Sequence, residues 1–321
     1  MKSRFRSALF LMALFLAGAA GVESTVASPS AVLTSCKGEV TVVRAGSASP
    51  AAFGLPLNDG DEVKTGAGAE AEIMFSAGNW VQIGANSSMK IKGHPAVQGE
   101  KTEAASEPKT AKKENFDVVQ NFLKLKNSEG TSAIGGLRSG EKAPVLEPIA
   151  PSQTRLRSAR PTFRWKTEDP STELVFTLYG KGKKMWSTEV SGVTELAYPG
   201  DAPALEPGVT YSWTLETADP LVSPPLRTTA CFFEILAPAD VKTLDTDLSK
   251  LDANKPGPVS YHLMRASLFF DRGLVHDAIV ETESAVANDP ANSSLHTILG
   301  HLYAEAGRTR DAMEALSKGQ K

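Results

Sequence analysis

Ser106 and Lys109 stand three residues apart, the spacing at which a lysine amine can activate a serine hydroxyl for acyl transfer. Pro108 lies between them and breaks the helix that would bring both to one face, and no Lys-Thr-Gly triplet follows downstream. Gly130-Thr131-Ser132-Ala133-Ile134 lacks the second glycine of a nucleophile elbow. Asn58, Asp59, Asp61 and Glu62 bring oxygens together, but a calcium loop needs six or more at set positions, so the cluster reads as a solvated hairpin turn. His262, His276, His296 and His301 offer imidazoles, yet none stands four residues from another and no His-Glu-x-x-His motif occurs. Cys36 and Cys231 belong to no metal spacing; in an oxidising compartment they either pair or remain as two buried thiols. These residues assign no catalytic group, no metal ligand and no cofactor, and the expectation is a protein that is not an enzyme.

What such residues do depends on the elements that carry them. The chain has 321 residues, enough for two or three domains, with the apolar and charged fractions of a soluble globular protein. Lys2, Arg4 and Arg6 precede the apolar run Ala8 to Ala20, followed by small and polar residues, which is the pattern of a secretory signal over residues 1–27. The run is too short to span a bilayer, and no later segment reaches the necessary length. The mature protein is therefore expected to be exported, periplasmic or at the cell surface, and not membrane-spanning. Three of the 34 basic and one of the 37 acidic residues fall within 1–27, which leaves a net charge of −5 and argues against a nucleic-acid partner.

Residues 28–95 alternate short β-branched and aromatic runs (Thr41-Val42-Val43, Ala71 to Phe75, Trp80 to Ile83) with turns such as Asn58-Asp59-Gly60-Asp61, the signature of an all-β unit. The order Gly38, Val40, Val42, then Gly54, Leu57, Gly60, Asp61, Val63, Thr65, Gly66, then Ala71, Ile73, Phe75, Gly78 resembles the FecR domain. That family's members are periplasmic and relay a signal from the outer membrane through a membrane helix and a cytoplasmic tail. This chain shows neither, so the resemblance implies the β fold and an envelope location but not the relay.

Residues 96–143 read as a linker, flexible in part, because 96–115 hold a single Val as their large apolar residue among many charges. Within it Phe116 to Lys126 is apolar enough for one helix or strand that returns to the first module. Residues 144–237 alternate at period two around Phe163, Trp165, Tyr211 and Trp213, with Pro and Gly clusters between the runs, as in a β-sandwich. The motifs Pro161-x-Phe163-x-Trp165 and Leu205-x-Pro207-Gly208-x-x-Tyr211-x-Trp213 resemble fibronectin type III and immunoglobulin-like domains of bacterial exported proteins. Exposed aromatics there would stack on an envelope polysaccharide; the alternation places Trp165 and Trp213 in a core instead and leaves Trp186 open.

From residue 238 the period becomes helical. Ala266, Phe269, Gly273, Ala278 and Ile279 recur thirty-four residues later as Gly300, Tyr303, Gly307, Ala312 and Met313, with Asp289-Pro290 closing the first unit. Small residues let helices approach, the ring fills the space beside them, and the glycines turn the chain. The spacing predicts helices near 259–271, 275–288, 293–305 and 309–318, with 239–251 as an N-terminal cap carrying Val241, Leu244, Leu248 and Leu251. The repeat resembles the tetratricopeptide family, whose first helices line a groove for peptide segments. That resemblance implies protein or peptide partners held by Ser260, Leu263, Ser267 and Phe270 in the first unit and Ser294, Thr297, His301 and Ala304 in the second. Leu263, Ser267 and Asp271 do not fit the family's carboxylate clamp, which disfavours C-terminal carboxylates as the ligand. The fold expectation is multidomain: a β-rich N-terminal unit, a β-sandwich and an all-α repeat. The leading function is a scaffold binding partners through its helical repeats; a FecR-like sensor of envelope signals and an envelope-polymer binder are the alternatives.

Overall fold

The computed structural model describes residues 28–92, 109–110, 114–127, 146–219 and 226–320. The proposed signal, the Ser106 hydroxyl and residues 130–134 lie outside the described residues. The layout is β-rich in the N-terminal half and helical at the C-terminal end, the layering that the change of hydrophobic period predicts.

The first unit is built from β1 (Ala31–Lys37), β2 (Val40–Arg44), β3 (Ser47–Pro50), β4 (Pro56–Leu57), β5 (Glu62–Thr65), β6 (Glu70–Phe75), β7 (Asn79–Ile83) and β8 (Ser88–Lys90). A two-residue strand, β9 (Lys109–Thr110), joins the edge beyond β7. One sheet has the order β4-β1-β6-β7-β9 and the other β3-β2-β5-β8. Alternation sends Leu33, Ala71, Ile73, Phe75, Val81 and Ile83 into the core between them. The opposite face of the first sheet is buried as well: Val32, Met74 and Trp80 join the core of the helical region. This is why β1 and β6 read as continuous buried runs rather than as half-exposed strands.

The acidic turn has a structural use. Asp61 is 2% exposed; both its oxygens accept hydrogen bonds from Arg44, at 2.7 to 3.2 Å, and one also accepts from the Asn58 N–H. The Arg44 guanidinium holds the Asp61 carboxyl below its ordinary pKa. Glu62 faces Lys64 at 3.3 Å.

Helix α1 (Glu114–Leu123) follows, with a 3-10 turn over Lys124–Asn127. The sandwich comprises β10 (Leu146–Ala150), β11 (Thr154–Leu156), β12 (Thr162–Thr167), β13 (Leu174–Gly180), β14 (Lys183–Val190), β15 (Glu195–Ala197), β16 (Thr210–Thr217) and β17 (Cys231–Ile235). A three-stranded sheet, β10-β12-β15, faces a five-stranded one, β11-β17-β16-β13-β14. Phe163, Phe176, Trp213 and Phe233 are at most 2% exposed and meet at ring-centroid distances of 4.6 to 6.0 Å. Gly208 turns with φ +72°, and the Tyr211 hydroxyl accepts a hydrogen bond from the Glu206 N–H at 2.8 Å, so the Leu-x-Pro-Gly-x-x-Tyr motif ties its own corner.

The helices are α2 (Pro238–Ala253), α3 (Pro258–Asp271), α4 (Val275–Asn288), α5 (Ser293–Glu305) and α6 (Thr309–Gly319). Each falls within two residues of its predicted bounds. The thirty-four-residue repeat is explained by its helix ends. Leu274 N–H reaches back to the Phe269 carbonyl and Gly273 N–H to Phe270; Arg308 and Gly307 repeat this with Tyr303 and Ala304. Such a terminus needs a left-handed residue after the helix, and Gly273 and Gly307 supply it at φ +74° and +76°.

Candidate functional site: the strip along the helical repeats

The first helices of the two repeats, α3 and α5, present the residues that the sequence assigns to a peptide groove. Helix α1 and its 3-10 extension pack along this strip, α1 on α3 and the extension on α5. At ten residues α1 has little helicity of its own, so its fold comes from what it packs against. Its apolar residues recur at i, i+3, i+6 and i+7, and Phe116, Val119, Phe122 and Leu123 are 1 to 4% exposed. Phe122 meets Phe270 edge to face with ring centroids 5.6 Å apart. Between α1 and α3 remains a gap of about 10 Å³, at the lower edge of what one water fills, lined by Val119, Met264 and Ser267 among others. The first β-sheet closes the strip beside it: the Ser260 hydroxyl donates to Thr34 Oγ1 at 2.9 Å. The Lys126 ammonium donates to the Phe53 carbonyl at 2.5 Å.

The eight sequence-assigned residues divide accordingly. Ser260, Leu263 and Ser267 are at most 1% exposed, beneath the chain's own β1 and α1. Phe270 is half-buried against Phe122. His301 is 6% exposed, and its Nε2 is a buried atom with no hydrogen-bond partner among the described residues. Ser294, Thr297 and Ala304 are half-buried, and Thr297 lies against Gly319 of α6 rather than along the strip. The expected return of 116–126 to the first module accounts for one half of its packing; its contact with the repeats is the other half. Phe116, Val119, Phe122 and Leu123 were not assigned to the site from sequence, although their helical spacing was the available signal.

Two further polar features lie near this strip and on the opposite side of α3. The Cys36 thiol is pushed up to about 12 by burial and by the Asp289 carboxylate, with the Lys126 ammonium opposing. Burial pushes Cys231 up to about 11. Both thiols are free, Cys231 within the sandwich core and Cys36 beside the core of the first unit. On α3 and α4, Glu281 is gripped by His262 Nδ1 and by Arg265 Nε, each at 2.7 Å, and Arg265 also reaches Asp252 at 3.1 Å. This network joins charges across α2, α3 and α4; none of its hydrogen bonds among the described residues goes to a serine, threonine or cysteine. His276 sits apart, at the start of α4 against the sandwich. Among the described residues no three His, Cys, Asp or Glu side chains are placed to hold a metal, and no helix is long and apolar enough to cross a membrane.

No protein-family profile matches the chain, and no curated protein does. Among solved structures, a multi-domain immunophilin from Arabidopsis thaliana aligns with 12% identity over 55% of this chain and 100% of its own. The TM-score is 0.19, too low for the two folds to be equated.

Proposed function

We propose that this chain is a non-catalytic, exported scaffold of the cell envelope that holds protein or peptide partners through its helical repeats. The observation that supports this most is that the strip along α3 already carries an amphipathic helix, α1, with Phe122 on Phe270 and Val119 beside Met264 and Ser267. A surface that accommodates one such helix has the shape and apolarity to accommodate another. Export rests on the basic and apolar pattern of residues 1–27, and the envelope location on the likeness of residues 28–95 to FecR domains. Protein is favoured over polysaccharide as the partner because Trp165 and Trp213 are at most 2% exposed, and Trp186 packs on Phe176 and Tyr198, so these rings are drawn into the sandwich.

Photo-cross-linking residues placed singly at Phe270, at Ala304 and at Thr210 of the full chain, in cells, test the reading. Protein adducts from Phe270 and Ala304 are expected. Adducts arising from Thr210 alone, on the sandwich, would contradict binding through the repeats.

A further inference from the structure

We infer that α1 is a resident occupant of the repeat strip, which an incoming amphipathic helix with apolar residues at i, i+3, i+6 and i+7 displaces. This inference rests on the peptide-binding reading above and names the ligand class and its control.

Three observations carry it. First, the resident is itself a specimen of the ligand: Phe116, Val119, Phe122 and Leu123 are all buried while Asp117, Asn121 and Lys124 of the same turns are exposed. Second, its hold is limited by its length. Helix α1 and its 3-10 turn cover residues 114–127, and a helix this short does not persist when undocked, so the ordering of the whole segment opposes the burial of four side chains and the partial burial of Val118 and Leu125. On the N-terminal side its anchor is β9, a two-residue strand with two partnered residues. Third, a buried polar atom in the second unit is unpartnered. His301 stands in the second unit where Ser267, which lines the gap between α1 and α3, stands in the first, thirty-four residues earlier, and its buried Nε2 has no partner among the described residues. A displacing helix that brings a hydroxyl or carboxylate to His301 supplies a hydrogen bond that α1 does not, and this favours the exchange.

The partner is thus a helix with the apolar spacing of α1 and one hydrogen-bonding side chain near the second repeat. Because the resident occupies the strip, the free protein binds such a helix more weakly than the strip alone would, by the fraction of time that α1 is undocked.

The test uses the full mature chain and a fluorescent peptide of residues 114–127. Anisotropy is expected to show binding to the wild type, and binding at least tenfold tighter to Phe122→Ser, whose resident is loosened. No binding to folded Phe122→Ser would overturn the proposal. Hydrogen exchange on the wild type keeps the test open if that variant does not fold. Amides of residues 117–123 are expected to exchange at least tenfold faster than those of 262–270, and equal rates would overturn local release of α1. A dimer of the wild type formed by trading α1 between copies would overturn the assignment to a partner of different sequence. Failure in these assays with adducts still formed at Phe270 or Ala304 would leave partner binding at the repeats standing while removing α1 as its resident occupant.

Discussion

Gly300 has no room for a side chain. A Cβ there would lie 2.6 Å from Leu316 Cγ and 3.1 Å from the Leu316 backbone nitrogen, so even alanine forces α5 and α6 apart. Gly300→Ala is expected to cost about 1–3 kcal/mol, measured by urea unfolding, and an unchanged midpoint would mean that the two helices are not in this contact. Trp213 poses the opposite case, a large ring fully enclosed, whose indole N–H donates to the Pro151 carbonyl at 2.6 Å. Trp213→Phe leaves that carbonyl unpartnered in the core. A loss of about 1–3 kcal/mol is expected, and thermal unfolding reads it. Both positions were visible in the sequence, Gly300 by its place in the repeat and Trp213 by strand alternation. The partners were not, because Leu316 and Pro151 carry no pattern that points to them.

At the level of elements, periodicity proved most informative where one physical cause fixed it. Helices α3 to α6 fall near their predicted bounds because the same left-handed glycine ends α3 and α5 and the same small residues permit close approach. The repeat also explains a difference in exposure: Ile279 is 1% exposed, whereas Met313, at the same place in the second unit, is 43% exposed, since no helix follows α6 among the described residues. Reading β1 and β6 as an isolated β unit was less complete. Alternation identified their inward faces, but Val32, Thr34 and Met74 on the other face meet helices more than 180 residues away in sequence, a distance over which no local period operates. The groove assignment was affected for the same reason. Ser260, Leu263 and Ser267 do line a strip, and α1 and β1, from far upstream, cover it.

At the scale of the whole molecule, the sandwich rests on the turns of the repeats. Arg155 N–H donates to the Gly273 carbonyl at 2.8 Å, a Cβ at Gly307 would sit 3.7 Å from Ser152 Oγ, and Lys166 reaches Asp311 at 3.4 Å. His276 lies at this seat, where its N–H meets Thr154 Oγ1 at 3.3 Å. Burial pushes its imidazole below the ordinary value, helped by the Arg308 and Arg164 charges and opposed by Asp277 and Glu283. The neutral ring is the form that suits the folded state. Its contribution is therefore fully present above about pH 6.5 and declines as the pH falls below that value, because the unfolded chain then binds the proton more readily. Urea unfolding between pH 5 and 7.5 is expected to show this decline, diminished in His276→Gln; an identical slope in the variant would remove His276 as its source.

The central claim is that α1 lies on the repeats, and a double-mutant cycle between Phe122 and Phe270 tests it most directly. Phe122→Ala, Phe270→Ala and the double variant are compared by urea unfolding. If the edge-to-face contact at 5.6 Å exists in solution, the two losses fail to add by about 0.5–1.5 kcal/mol. Strict additivity would place α1 elsewhere and leave the strip open.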